Sequence, residues 1–546
     1  MPLNRRSILA GGLCAALPPI GGAMAQSSES GTSAKDSPVV DTATGPVRGT
    51  RADDVSAFLG IPYAAPPVGP LRYASPRPPA RWTEPRDASQ PGAASIQTLG
   101  GPAAWLYEGA SPQAEDCLFL NVWTPDTEGR RPVMVWLHGG AWRTGRGDAA
   151  GTIGSALAAR GDVVVVTLNY RLGALGWLAH PALADPETGT FANWGLQDQI
   201  AALRWVQANI AAFGGDPGRV TLFGQSAGGS SVASIAQDPR HAGLLHRAII
   251  ESGSLHGAPA FPEPATAAAY AEALAKRLDV AVDGLRRVPA ETLHRTELAL
   301  ARDPEMVRGI GRPPVLPVLD GIVLKTWPRD GKLAPVPLLI GTTRSEAVFW
   351  YDLIAPDGSR VPGPTPPTNP DQLKRMVADL MKVYRPESRT LPSEVIGAYT
   401  DAALAGAQPT DPLSLWIAIY TDVVFTLRAR TAAVRHAASG QLTYLYEFAH
   451  PIVAPAHGVP HTAEIPFVFR TYADPFFAPK CGDGPDAAAL SDFMLTAWAR
   501  FARDGALGAP WQALADVTPP VNVLGGPGGL IAPETSTISI ARAIWG

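Results

Sequence analysis

The sequence predicts an α/β fold: a large, mostly parallel central sheet flanked by helices. Three observations point there. Nearly continuous apolar runs, Arg131-Pro132-Val133-Met134-Val135-Trp136-Leu137 and Asp162 to Leu168, have the composition of strands buried on both faces, as parallel strands are. Such runs alternate with helix-like segments, and that rhythm goes with parallel pairing. The third observation is Val220-Thr221-Leu222-Phe223-Gly224-Gln225-Ser226-Ala227-Gly228-Gly229, a β-leaning run that ends in Gly-x-Ser-x-Gly and opens into small residues suited to a helix start.

Taken in order, residues 1–25 read as an export segment. Arg5-Arg6 precede an apolar stretch, Ile8 to Ile20, that is too short to span a bilayer comfortably, and Ala23-Met24-Ala25 forms an A-x-A-like cleavage site before Gln26. The paired arginines resemble a twin-arginine (Tat) signal, and an ordinary Sec signal is the alternative. The expected location is periplasmic or secreted, and no other stretch reads as a membrane span. Residues 26–38, rich in Ser and Gly, read as a flexible mature N-terminus. Residues 39–546 are expected to form a single domain.

Within it, Val39 to Arg48 and Ala57 to Ile61 read as short strands, followed by a Pro-rich surface segment ending near Trp82. Glu115 to Pro125 is a strand after a polar start. The Arg131–Leu137 strand ends in His138-Gly139-Gly140-Ala141-Trp142. Glycines at the C-terminal edge of a strand let backbone N–H groups face a ligand, and open α/β sheets bind ligands at that edge. The Asp162–Leu168 strand leads into Asn169-Tyr170-Arg171-Leu172-Gly173. A helix is expected from about Gly195 to Ala212, stopped by Phe213-Gly214-Gly215-Asp216-Pro217. Downstream we expect strands at His246–Ser252, Pro335–Ile340 and Leu442–Phe448, helices at Thr266–Leu278 and Ser491–Arg503, and a short strand-like tail. Residues 351–370 are loop-like. The spans near 92–113, 280–313 and 351–415 are expected to shape the approach to the site.

Composition narrows the function classes. The chain of 546 residues is 46% hydrophobic and 17% charged, an ordinary globular balance with length for a large core. Its formal net charge of −4 favours neither nucleic acid nor an anionic membrane surface. Three cysteines, Cys14, Cys117 and Cys481, are too few for a disulfide framework. Cys14 lies in the export segment. Cys117 and Cys481 are expected to stay separate, since a pair would require their Cα atoms to meet.

A serine flanked by glycines at a strand-to-helix turn is the pattern of a nucleophile elbow, which lifts the hydroxyl off the sheet and aims the next N–H, that of Ala227, at a helix N-terminus. Acyl transfer also needs a base, a carboxylate to orient it and donors for an oxyanion. The His138–Ala141 loop offers donors. Glu346 follows a later strand in Gly341-Thr342-Thr343-Arg344-Ser345-Glu346, although by spacing alone an exposed loop carboxylate is the commoner reading. His450, His457 and His461 compete for the base, and the residues alone do not choose between His457 and His461. His457, His461 and Glu464 have metal-like helical spacing, but Gly458 and Pro460 argue against a helix, so no metal is expected.

Taken together, several blocks resemble the type-B carboxylesterase family of α/β-hydrolases, which includes cholinesterases and bacterial p-nitrobenzyl esterases. They are Phe58–Ala64, Glu115–Val122, His138–Trp142, Asn169–Gly173, Asn193–Leu196, Phe223–Gly229, Gly341–Glu346 and His461–Phe469, in order along nearly the whole chain after the export segment. The resemblance implies an α/β-hydrolase fold with loop and helical insertions over the site. It implies Ser226 as nucleophile, Glu346 as acid and His461 as base, with the N–H groups of Gly140, Ala141 and Ala227 as oxyanion hole. Ala141 stands where many members have a third glycine, and Gln225 where glutamate is common. The upstream cysteine that often pairs at the Cys117 position is missing. The implied activity is hydrolysis of a small-molecule carboxylic ester through an acyl-enzyme, with no cofactor and no metal. Hydrolysis of amides, carbamates or lactones, or a non-catalytic binding role, is the alternative. Trp142 and Trp350 are candidate pocket residues, with a packed core aromatic as the plainer reading of each. A monomer or weak homodimer without stable membrane insertion is expected.

Overall fold

The strand expected at Arg131–Leu137 shows how the core is built. Alternate side chains of a strand leave on opposite faces, and here both sets are buried: Val133, Val135 and Leu137 join one apolar layer, Met134 and Trp136 the other. The computed structural model describes residues 37–107, 112–253, 255, 260–303, 315–354, 359–452, 458–515, 520–534 and 538–545. The export segment and almost all of 26–38 lie outside the described residues, as does His457.

In chain order the strands are β1 (Val39–Thr42), β2 (Gly45–Arg48), β3 (Thr50–Ala52), β4 (Val55–Pro62), β5 (Arg86–Asp87), β6 (Phe119–Thr124), β7 (Arg131–Leu137), β8 (Val164–Leu168), β9 (Gly215–Gln225), β10 (Arg247–Glu251), β11 (Leu338–Thr343), β12 (Thr443–Phe448), β13 (Asn522–Gly526) and β14 (Gly529–Pro533). Eleven of them form one sheet in the order β14-β13-β12-β11-β10-β9-β7-β8-β6-β4-β3, while β1, β2 and β5 make a small separate sheet. From β8 through β13 each neighbouring pair is parallel, and the pairs at both ends of the sheet are antiparallel. The C-terminal ends of seven strands therefore share one edge, and the chain is an α/β fold with a mostly parallel sheet, as expected.

The main departures have local causes. Val39–Arg48 is a hairpin of two strands and not one, its turn closed by Thr42 Oγ1 donating to the Gly45 carbonyl at 2.6 Å. β11 starts at Leu338 instead of Pro335, past Pro337, since proline has no N–H for the ladder. The span 351–415, expected to shape the approach to the site, contains past its loop-like start the helices Pro370–Tyr384 and Pro392–Ala405 and the start of Pro412–Thr421. Each opens on proline at its first position, and Asn369 and Asp411 accept N–H groups of the first turn. The tail goes beyond strand into a short helix, Ile538–Arg542.

Cys117 packs in one apolar layer and Cys481 in the other, and both are free thiols. Among the described residues no helix is long and apolar enough to cross a membrane. A buried ion pair ties the loop after β8 to the Trp194–Asn209 helix: Arg171 meets Asp198 through Nη2–Oδ1 at 2.7 Å and Nε–Oδ2 at 2.8 Å, and its own N–H donates to Oδ2 at 3.0 Å. Removing one partner strands the other charge in the interior, which costs about 3–5 kcal/mol. Asp198→Ala is accordingly expected to lower the melting temperature sharply in a thermal scan, and an unchanged melting temperature would refute this role.

Candidate active site

Ser226 sits at the turn between β9 and the Ala227–Ala236 helix with φ 58° and ψ −121°, a strained backbone for a residue with a side chain. The surroundings hold it there. Its N–H donates to the Glu251 carbonyl at the end of β10, at 2.8 Å, and its carbonyl accepts from Ser230 N–H at 2.9 Å. The flanking glycines are dictated by the approach of β7: a Cβ on Gly228 would lie 1.9 Å from the Leu137 carbonyl oxygen, and one on Gly224 2.7 Å from it.

The loop after β7 comes equally close. A Cβ on Gly139 would lie 3.0 Å from Ser226 Cβ, and one on Gly140, where φ is +99°, would lie 2.1 Å from the Thr144 carbonyl oxygen. Ala141 and Trp142 follow with φ of 53° and 57°, two further residues in the left-handed region. The Gly140 carbonyl accepts the N–H groups of Arg143 and Thr144, both at 3.0 Å, and the Trp142 carbonyl that of Gly173 at 2.9 Å. The carbonyls are thus turned into the loop. The N–H groups of Gly140 and Ala141, and that of Ala227 at the start of its helix, donate to no described group. An unpaired first-turn N–H is a ready anion donor.

Glu346 and His461 come together from positions 115 apart in sequence. Glu346 lies just past β11 and is fully buried; its Oε1 accepts Thr343 N–H at 2.8 Å and its Oε2 lies 2.5 Å from His461 Nδ1. The His461 N–H also donates to the Glu346 carbonyl at 3.3 Å. With Nδ1–H given to the carboxylate, Nε2 keeps the lone pair, which suits a base. His450 is elsewhere, its ring 5.2 Å from that of Phe467. The Gln225 amide nitrogen lies 3.2 Å from His461 Nε2 and 3.4 Å from Nδ1. These nearly equal distances place it over the ring and not in line with Nε2.

Around the imidazole stand Trp350 at 4.9 Å, Phe425 at 5.0 Å and Phe349 at 5.7 Å between ring centres. Trp350 therefore adjoins the histidine. Trp142 belongs to another aromatic group: its ring packs 5.7 Å from Trp177 and 5.5 Å from Phe261, and its Nε1 donates to Ser231 Oγ at 3.2 Å. Phe425 was not foreseen. It lies in a five-residue π-helical turn, Asp422–Thr426, between two α-helices, and carries no motif. The arginine-rich hollow lined by Arg130, Arg131, Asp162, Arg219 and Arg503 lies at the start of β7, the end opposite to His138. Among the described residues no group of three or more His, Cys, Asp or Glu is placed to hold a metal ion.

Residues 36–521 match the model of the carboxylesterase family. The chain is similar to the para-nitrobenzyl esterase of Bacillus subtilis, 34% identical over 480 residues that make up 86% of this chain and 90% of that protein. Its structure is similar to that of a thermophilic pNB esterase, with a TM-score of 0.77 and 32% identity over 93% of this chain and 99% of the other. It is also similar to a carboxylesterase of Geobacillus stearothermophilus, with a TM-score of 0.74 and 31% identity over 93% of this chain and the whole of the other, 100%.

One buried group at the site has a measurable signature. His138, stacked on Tyr170 at 4.2 Å, is buried, and burial pushes its imidazole down to about 4. An unfolded imidazole titrates near 6.5, so between these values the unfolded chain binds the proton first. The stability contributed by the neutral ring is therefore complete above about pH 6.5 and is lost as pH falls toward 4, by about 3 kcal/mol in all. The melting temperature is expected to drop over that window, and less steeply in His138→Asn; calorimetry at pH 4.5 and 7.5 checks it, and an equal drop in the variant counts against His138.

Proposed function

The chain belongs to the carboxylesterase family and is a carboxylic ester hydrolase acting on small-molecule esters, and from that premise we propose that it works through an acyl-enzyme on Ser226. The observation that carries this reading is the Glu346–His461 pair, joined at 2.5 Å and set on the sheet edge that bears the Ser226 turn. Ser226 Oγ attacks the ester carbonyl carbon while His461 Nε2 takes the hydroxyl proton. Glu346 holds the ring by Nδ1–H and stabilises the imidazolium. The carbonyl oxygen, now an oxyanion, accepts from the N–H groups of Gly140, Ala141 and Ala227, each of which typically contributes roughly 10²–10³ in rate. The tetrahedral intermediate collapses, the C–O bond to the alcohol breaks, and His461 returns the proton to the leaving oxygen. Water then attacks the acyl carbonyl by the same route, releasing the acid and restoring the serine. No cofactor enters the scheme. Trp350, half-buried against His461, is the pocket residue this placement favours.

We further propose that residues 39–546, which supply the one continuous sheet from β3 to β14, are a single catalytic domain delivered by the export segment 1–25 to the periplasm or beyond.

Two experiments test these readings. An organophosphate is expected to label the wild-type protein covalently at Ser226 and to leave Ser226→Ala unlabelled. Ser226→Ala should lose on the order of 10⁶ in kcat and Glu346→Gln about 10⁴, measured on p-nitrophenyl acetate. Labelling that persists in Ser226→Ala would reject the nucleophile. For export, mass spectrometry of protein recovered from a periplasmic fraction is expected to find Gln26 as the first residue; an intact Met1 in that fraction would refute the cleavage.

A further inference from the structure

The C-terminal helix is tied to the histidine of the site by a short chain of buried contacts. Asp422, which opens the π-helical turn 422–426, is fully buried. Its Oδ2 accepts the Tyr399 hydroxyl at 2.6 Å, and its Oδ1 lies 2.7 Å from Arg542 Nε. Arg542 is itself largely buried: its Nη1 reaches Glu534 Oε1 at 2.5 Å, and its Nη2 is 3.7 Å from Glu447 Oε2. Glu447 in turn takes Arg344 Nε at 2.7 Å, two residues before Glu346. Beyond the helix, Trp545 Nε1 donates to the same Tyr399 hydroxyl at 3.1 Å, and the Trp545 carbonyl accepts Arg385 Nη2 at 2.7 Å. The last described turn of the chain is thus pinned on both sides of Asp422.

The other side of the π-turn faces the site. Phe425 lies 5.0 Å from the His461 ring and stacks on Trp350, 5.7 Å away and 12° from parallel. Thr421, at the entry to the turn, accepts the N–H of Ala347 on its Oγ1 at 3.2 Å, one residue after Glu346. The turn therefore adjoins His461 through Phe425, and the residue before it holds the backbone next to Glu346. π-Turns are unfavourable insertions, kept mostly where a site uses the geometry. Relaxing this one to regular helix would turn everything on one side of it by about 100°, one residue's rotation, and carry Phe425 off the imidazole.

We propose that Arg542 is a positioning residue for this site: by clamping Asp422 it holds the π-turn that sets Phe425 and Trp350 against His461 and Thr421 against the backbone just after Glu346. Without Arg542, Asp422 is a buried carboxylate with a single neutral donor, and opening of the turn toward water is the relief available to it. The proposal rests on the reading of Ser226, Glu346 and His461 given above.

The test compares wild type with Arg542→Gln, Arg542→Lys and Thr421→Val. The readouts are the rate of organophosphate labelling at Ser226, kcat and KM on p-nitrophenyl acetate, and the melting temperature. Folded Arg542→Gln is expected to lose on the order of tenfold to a hundredfold in labelling rate and kcat, as small misplacements at a reacting pair do, with KM far less affected. Arg542→Lys should recover part of it. Wild-type kcat and labelling in Arg542→Gln, or losses no larger than the unfolded fraction, would overturn the proposal. Should Arg542→Gln fail to fold, Thr421→Val, which removes only the acceptor for Ala347 N–H, must show the same kcat loss at unchanged KM, and wild-type kcat there would overturn it. Failure of wild type to label at Ser226 would instead sink the underlying reading of the site.

Discussion

The site depends on how closely the end of β7 can approach the turn after β9. Nothing larger than a hydrogen fits between the Leu137 carbonyl and the first turn of the Ala227–Ala236 helix, since a Cβ on Gly228 would lie 1.9 Å from that oxygen. That contact brings the two strand ends to a fixed separation. It thereby decides where the loop from His138 to Ala141 runs, and a Cβ on Gly139 would fall 3.0 Å from Ser226 Cβ. The glycines of Gly-x-Ser-x-Gly are often explained by the backbone angles of the turn. Here Ser226 itself carries the strained angles, and the glycines beside it serve the approach of a neighbouring strand. Strain at one residue persists because the packing around it leaves no other conformation.

The same edge concentrates buried carboxyls, and their environments separate them. Burial pushes Glu251 up, and it pushes Glu464 up as well, helped by the charges of Glu251 and Glu346. Both are thereby favoured as neutral acids. Glu251 takes one neutral donor, Trp498 Nε1 at 2.7 Å. Glu346 is the carboxyl given the Thr343 N–H and the His461 Nδ1–H. Glu464 lies three residues after His461, and the carbonyl of Glu251, at the end of β10, receives Ser226 N–H, so these carboxyls lie in the elements that carry the site.

The parallel sheet and the Ser226 turn were readable because they sit in strands buried on both faces and in a turn where only particular residues fit. Arg131–Leu137 begins and ends where its apolar run does. The place of His461 was not readable from spacing, since its loop is set by a long-range contact: the His461 N–H meets the carbonyl of Glu346, far away in sequence. The insertions were harder still. Proline at the first helical position and the caps Asn369 and Asp411 were visible signals for helices inside 351–415, beyond the Pro- and Gly-rich stretch 351–370 that reads as loop. The π-turn had no signal, because its extra residue is recorded only in hydrogen-bond register.

That division has a chemical consequence. The residues proposed to react come from motifs, while much of the wall around the imidazole comes from outside any motif. Trp350, Phe425 and Phe349 surround the imidazole, 4.9, 5.0 and 5.7 Å away between ring centres. Trp350 and Phe349 follow the Glu346 turn directly, but Phe425 arrives from the insertion through a turn held by Asp422. The surroundings of the imidazole are therefore set jointly by the sheet edge and by a segment whose sequence carries no catalytic pattern. A chain with the same Ser, Glu and His on the same sheet but a regular helix at 422–426 would present the imidazole to a different surface, and its histidine would work in a different medium.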